Sequence, residues 1–316
     1  MNRLTPGILL SVFFCTSAAS ADPPPFAPKS MAYVLQADKL APSRAAAVQK
    51  LAASDRDLVV IDAAFSSDGD WTAAEIEAIR AGKSGRRVVA YVSIGEAEDY
   101  RPYWQKNWDA DKDGKPDASA PKFLNSENPD WKGNYRVRYW HTEWQQIMLP
   151  AVDKVVAQGF DGIYLDIVDA FEFYEYDAAT KDWLDDRPNP ETGKTYREDM
   201  IAWVTAIARR ARSKVPGFIV IPQNASQLLA HADYRNLISA IGLEDLFVSG
   251  KKLRSEKQSR YVLSFLDQFK PTGKPVLVID YPKSQDIHDA AFEAAASHGF
   301  TLLLTDRQLT TLGASK

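Results

Sequence analysis

Several strand-like runs in this chain of 316 residues end in acid. Asp62 closes VVID, Asp166 closes YLD, Glu244 follows IGL, and Asp280 closes VLVID with Tyr281 directly after it. Carboxylates gathered in one concavity repel each other, and some of their pKa values should rise. Two carboxyl groups with split pKa values can act as proton donor and nucleophile, and such a pair flanking a glycosidic bond is the machinery of most glycosidases. Asp166 and Glu244, far apart in the chain, form the candidate pair. Other chemistries fit less well. The four histidines make no H-x-H pair for a barrel metallohydrolase, no serine sits in a G-x-S-x-G elbow, and no lysine ends the sixth run for a Schiff base.

The elements that must position these acids follow from the periodicity. Around Asp166, Ile163 and Leu165 alternate with Gly162, Tyr164 and Asp166, the period-2 pattern of a strand with two different faces. Eight strand-like runs are expected, near residues 32–36, 58–65, 87–94, 159–166, 218–222, 239–244, 275–280 and 300–305. Helical patterns fall between most of them: 43–54, 72–83, 142–158, 196–215, 255–269 and 285–298. Ser43, Thr72 and Ser255 read as N-caps, and Gly82, Gly159 and Gly299 as helix stops. Strand and helix alternating eight times predict an α/β (β/α)₈ TIM barrel, residues 31–316, with the acids at the carboxyl ends of the strands. An open doubly wound sheet is the competitor, but no glycine-rich phosphate loop follows the first strand.

Two long insertions follow the third and fourth runs, residues 96–140 and 169–195. In a barrel they would wall the open face. The candidate substrate contacts lie here and at the strand ends: Asp62, Tyr91, Ser93, Glu96, Glu98, Trp104, Tyr164, Asp169, Asn224, Asp280 and Tyr281. Four of the eight tryptophans are in the first insertion and a fifth, Trp144, follows just after it. Flat aromatic faces suit sugar rings. Tyr100, Tyr103 and Trp104 read equally as sugar platform or as packing, while Trp140 and Trp144, four apart, read as the buried face of a helix. The run DADKDGKPD carries Asp109, Asp111, Asp113 and Asp117 at the spacing of a calcium loop, with Ala120 where the bidentate Glu would stand. Both a structural calcium site and a solvated acidic turn fit it; no other cofactor is called for.

Met1 to Ala21 reads as a secretory signal: Arg3, then the apolar run Ile8–Phe14, then Ala19-Ser20-Ala21. A Pro-rich leader, residues 22–30, follows. The only cysteine, Cys15, lies in the signal, so the mature chain would hold no disulfide or thiol. A secreted or periplasmic monomer is expected, with no membrane span. The net charge of −4 argues against a nucleic-acid partner.

Three stretches, YVSIGEAEDYRPYW (91–104), NPDWKGNYRVRYWHTEW (128–144) and GFDGIYLDIVDAF (159–171), resemble glycoside hydrolase family 114, the endo-α-1,4-polygalactosaminidase-like barrels. The resemblance covers nearly the whole mature chain. It implies a (β/α)₈ fold and α-1,4-linked galactosamine polymers of microbial exopolysaccharide as substrates. It assigns Asp166 as nucleophile and Glu244 as acid/base of a retaining mechanism, and adds Arg101 to the third-strand motif with Glu96 and Glu98. The surplus of acids around the pair independently favours a cationic amino sugar over a neutral one. A non-catalytic polysaccharide-binding barrel of an exopolysaccharide system is the alternative; retention of both Asp166 and Glu244 favours the enzyme.

Overall fold

A computed structural model describes residues 26–66 and 69–316. The signal segment 1–21 and the prolines at 23–25 lie outside the described residues. Eight parallel strands carry the fold: β1 (Met31–Val34), β2 (Leu58–Asp62), β3 (Arg87–Ser93), β4 (Gly162–Asp166), β5 (Ile219–Pro222), β6 (Ile241–Glu244), β7 (Val276–Asp280) and β8 (Thr301–Leu304). β1 to β5 form one ladder in chain order, and β6 to β8 a second. The two meet at a parallel bridge between Gln223 and Gly242. At the opposite seam no ladder joins β8 to β1 among the described residues. There Ala314–Ser315 runs antiparallel along β8, and Ser315 Oγ accepts from Met31 N at 3.0 Å.

Helices pack outside the strands: α1 (Arg44–Ala52), α2 (Ala73–Ala81), α3 (Thr142–Ala157), α4 (Tyr196–Arg212), α5 (Ala232–Leu237), α6 (Glu256–Phe269) and α7 (His288–His298). Capping boxes at Thr72 and Thr195 satisfy free N–H groups at the starts of α2 and α4. Gly299, at φ 74°, turns the chain out of α7 into β8. The short helix α5 was not legible in the sequence; it has only six residues.

Two apolar layers show the strand parity. Val59 and Ile61, Val88 and Ala90, Ile163 and Leu165, Ile241 and Leu243, Val276 and Val278 belong to the layer under the helices. Leu58, Val60, Val89, Tyr91, Tyr164, Ile221, Leu277 and Ile279 form the barrel interior. Asp62, Asp166 and Glu244 fall on interior positions. Asp280 does not: it continues the outward parity of Val276 and Val278. This corrects the expectation that all four acids point into the mouth.

The first insertion folds as a three-stranded antiparallel sheet, with Glu96–Glu98 paired to Trp131–Val137 and that strand to Leu124–Asn128. The second carries a short hairpin, Tyr176–Asp177 with Asp182–Trp183. The buried Arg197 at the start of α4 ties it down through Glu175 at 2.8 Å and Asp185 at 2.6 Å. Among the described residues no helix is long and apolar enough to cross a membrane.

Candidate active site

Asp166 ends β4 between its neighbours: Ser93 pairs with it from β3, and Leu165 pairs with Pro222 of β5. Its Oδ2 accepts from the Tyr91 hydroxyl at 2.6 Å, and its Oδ1 from Ile167 N at 2.8 Å and Gln223 Nε2 at 3.0 Å. Glu244 ends β6. Its Oε2 accepts from the same Gln223 nitrogen at 2.8 Å, and its Oε1 from the Tyr281 hydroxyl. One amide nitrogen thus bridges the two acids. Their bonded oxygens can lie no further apart than those two bonds end to end, about 5.8 Å.

Sequence reasoning passed over Gln223. It follows Pro222 immediately and is 2% exposed, a burial that only the packed strands reveal.

Burial pushes the Glu244 carboxyl up to about 7, with the nearby Asp166 charge adding to the shift. Burial also raises Asp166, against the pull of its three donors. Asp169 is raised to about 8 by burial and by Asp166 and Glu172. Burial keeps the Tyr91 and Tyr281 phenols neutral, so both remain donors. The chain turns sharply just past the ends of β4, β5 and β6. Ile167, Asn224, Ala225 and Asp245 all have φ between 52° and 57°. This left-handed region is uncommon for residues with a side chain and a genuine outlier for a β-branched one, and it gathers at functional sites.

The other expected contacts divide. Tyr91 and Tyr281 are buried and hold the two acids. Asn224 Oδ1 accepts from Glu244 N at 3.1 Å, and its side chain lines the cavity beside that residue. Asp62 and Glu98 share the Arg101 guanidinium, and Tyr100 donates to Glu98 as well, so both are tied to partners within the protein. Glu96 is 3% exposed. Its Oε1 accepts from Asn128 at 2.8 Å while Oε2 has no hydrogen-bond partner among the described residues, and burial raises its carboxyl. Ser93 is buried, with a 3.4 Å contact to Glu96 O.

Two expectations need correction, those for Tyr164 and Asp280. Tyr164 is fully buried, its ring 5.2 Å from that of Tyr33, so it forms a floor that substrate cannot touch. Trp104 is half-buried and packs one side against Trp108 and Tyr135, at 5.0 and 4.6 Å. Asp280 is 0% exposed; it accepts from Phe247 N at 3.1 Å and anchors the loop after β6. Burial raises its carboxyl to about 7.

In the acidic turn, Asp109, Asp111 and Asp113 bring carboxylate oxygens within 4.8 Å of one another. Asp117 stands apart from that trio, its carboxylate accepting from Ala110 N at 2.7 Å. Asp109 is itself satisfied by Tyr135, Gly114 N and Asp113 N.

A β/α barrel with two bridged carboxylates at the carboxyl ends of β4 and β6 has the layout of a glycoside hydrolase. The sequence profile of glycoside hydrolase family GH114 matches residues 15–316. The chain belongs to that family and is a glycoside hydrolase. A protein of Deinococcus radiodurans, described only as uncharacterized, is 38% identical over 258 residues, 81% of this chain and 75% of its own length. A Methanocaldococcus jannaschii protein, likewise uncharacterized, is 38% identical over 74% of this chain and 63% of its own length. Among solved structures, the glycoside hydrolase domain of PelA from Pseudomonas aeruginosa superposes with a TM-score of 0.63. It is 18% identical and covers 92% of this chain and 99% of the domain. Ega3 of Aspergillus fumigatus, solved in complex with galactosamine, gives 0.58 at 20% identity, over 83% of this chain and 88% of its own. At such identities the structural likeness speaks for the fold.

Proposed function

We propose that this chain is a secreted, endo-acting, retaining glycoside hydrolase of galactosamine-type polysaccharide. The Gln223 bridge is the observation that carries the mechanism. Retaining enzymes hold their carboxyl groups about 5 to 5.5 Å apart, whereas inverting enzymes leave roughly 6.5 to 9.5 Å for a water molecule. A limit of about 5.8 Å between the bridged oxygens favours retention.

In the first step an Asp166 oxygen attacks the anomeric carbon while Glu244 gives its proton to the departing glycosidic oxygen. The products are a glycosyl ester on Asp166 and a free chain end. In the second step Glu244, now a carboxylate, takes a proton from water. The resulting hydroxide attacks the same carbon and releases Asp166. A Glu244 carboxyl near 7 can hold a proton close to neutral pH and take it back. The steps call for no metal or organic cofactor. Two cavities that share Asp245 and Arg254 continue past Glu244, which suits an internal stretch of polymer. The amino-sugar class is supported by the galactosamine bound to Ega3 and by the uncompensated acids beside the pair. Secretion rests on the sequence of residues 1–21.

Asp166→Asn and Glu244→Gln should each remove at least about a hundredfold of the turnover, measured as new reducing ends on an α-1,4-galactosamine polymer, with melting temperature preserved. NMR of the first-formed anomer should show retention. Near-full activity in either variant would overturn the assignment. A parent protein that binds the polymer and never cleaves it would instead be a polysaccharide-binding barrel.

A further inference from the structure

A cavity of about 310 Å³ opens beside Glu244, lined by Asp169, Glu172, Asn224, Ser226, Arg254 and Gln258, among others. Glu244 is on its wall; Asp166, Tyr91 and Gln223 are not. It therefore lies on the side of the proposed proton donor, where the departing part of a glycosidic substrate would sit. Asp169 and Glu172 are three apart across the continuous turn from Val168–Ala170 into Phe171–Glu175, a spacing that sets both side chains on one face. Gln227 Nε2 donates to Glu172 Oε1 at 2.6 Å, which fixes that carboxylate on the cavity wall.

We propose that this cavity is a subsite for a protonated amino sugar on the leaving-group side, with Asp169 and Glu172 as its paired countercharges. The proposal rests on the amino-sugar reading of the active site and deepens it: it assigns the selection of deacetylated residues to two side chains outside the catalytic pair.

Charge around Asp169 supports this. Apart from its own backbone N–H, the main influences on it are burial and the carboxylates Asp166, Glu172 and Glu244, all opposed to its ionisation. The cation on the cavity wall, Arg254, acts instead on Asp280. A sugar ammonium entering the cavity would set a positive charge beside Asp169, which has none among its main influences, and would draw that carboxyl into its ionised form. An N-acetyl group would bring none and would desolvate two acids without compensation, so the same pair also disfavours acetylated residues.

The test uses the mature chain carrying Asp166→Asn, so that oligosaccharides survive, and calorimetric titration with α-1,4-galactosamine oligomers and their fully N-acetylated counterparts. The parent of this series should prefer the deacetylated oligomer. Asp169→Asn and Glu172→Gln, each added at matched melting temperature, should weaken that oligomer roughly tenfold and the acetylated one by less than about twofold. High salt should shrink the preference. No preference in the parent, or equal weakening of both oligomers, would overturn the proposal. Binding is read without turnover, so failure of the catalytic reading would leave this measurement standing.

Discussion

Gly242 lies against the hydroxyl end of Tyr164, so closely that a Cβ at position 242 would overlap the phenol oxygen. The Tyr164 ring fills the barrel directly beneath the bridged acids, and Glu244 stands two residues beyond the glycine. Gly242→Ala should therefore push β6 or the ring aside. Overpacking of this kind costs about 1–3 kcal/mol. A melting temperature lowered by several degrees and a reduced kcat are expected. Tyr164→Phe added to Gly242→Ala removes the overlapping oxygen, which has no hydrogen-bond partner, and should recover part of both losses.

Gln223 donates to both acids. Its amide stabilises the charged forms of Asp166 and Glu244, so its loss raises both. Gln223→Met keeps the bulk and removes the donor. Hydrogen bonds to charged groups contribute about 1.5–3 kcal/mol, equivalent to roughly one pH unit or more. The acid limb of the kcat/KM profile needs Asp166 ionised and the alkaline limb needs Glu244 protonated. Both limbs should move to higher pH, and an unmoved profile would mean that the bridge does not tune the pair.

Asp280 makes stability fall as pH rises. Its folded-state carboxyl is raised to about 7, above its ordinary value. Its contribution is thus fully present below about pH 4 and is lost as pH climbs through 7. Asp280→Asn retains an acceptor for Phe247 N and cannot ionise. Its melting temperature should exceed that of the parent at pH 8, with the difference closing by pH 4. Parallel melting curves across that range would contradict the buried-acid account.

The Asp109–Asp113 turn offers a simpler measurement. If its three carboxylates take a calcium ion, binding confined to the folded chain raises stability. Millimolar calcium, on the scale of extracellular sites, should then lift the melting temperature above that in chelator, and Asp111→Asn should abolish the rise. Equal melting temperatures leave the turn held by its own hydrogen bonds to Asp109.

The strands, most of the helices and the pair Asp166 and Glu244 were legible in the sequence because they depend on local periodicity. Alternating apolar residues reveal a strand, and an acid at its end can be read without knowing its neighbours. The same local signal failed at Asp280. VLVID and YLD both end in acid, yet one register faces the helices and the other the barrel interior, and only packed neighbours distinguish two faces that are both apolar. Neither could sequence alone reveal that Arg101 had taken up Asp62 and Glu98, or that Trp104 packs against Trp108 and Tyr135, since those partners are brought together by the fold of the loops. Gln223 is the plainest case. An amide has no chemical signature of its own at a strand end. It became the centre of the site only because the barrel's curvature brings β4, β5 and β6 side by side, within reach of one nitrogen.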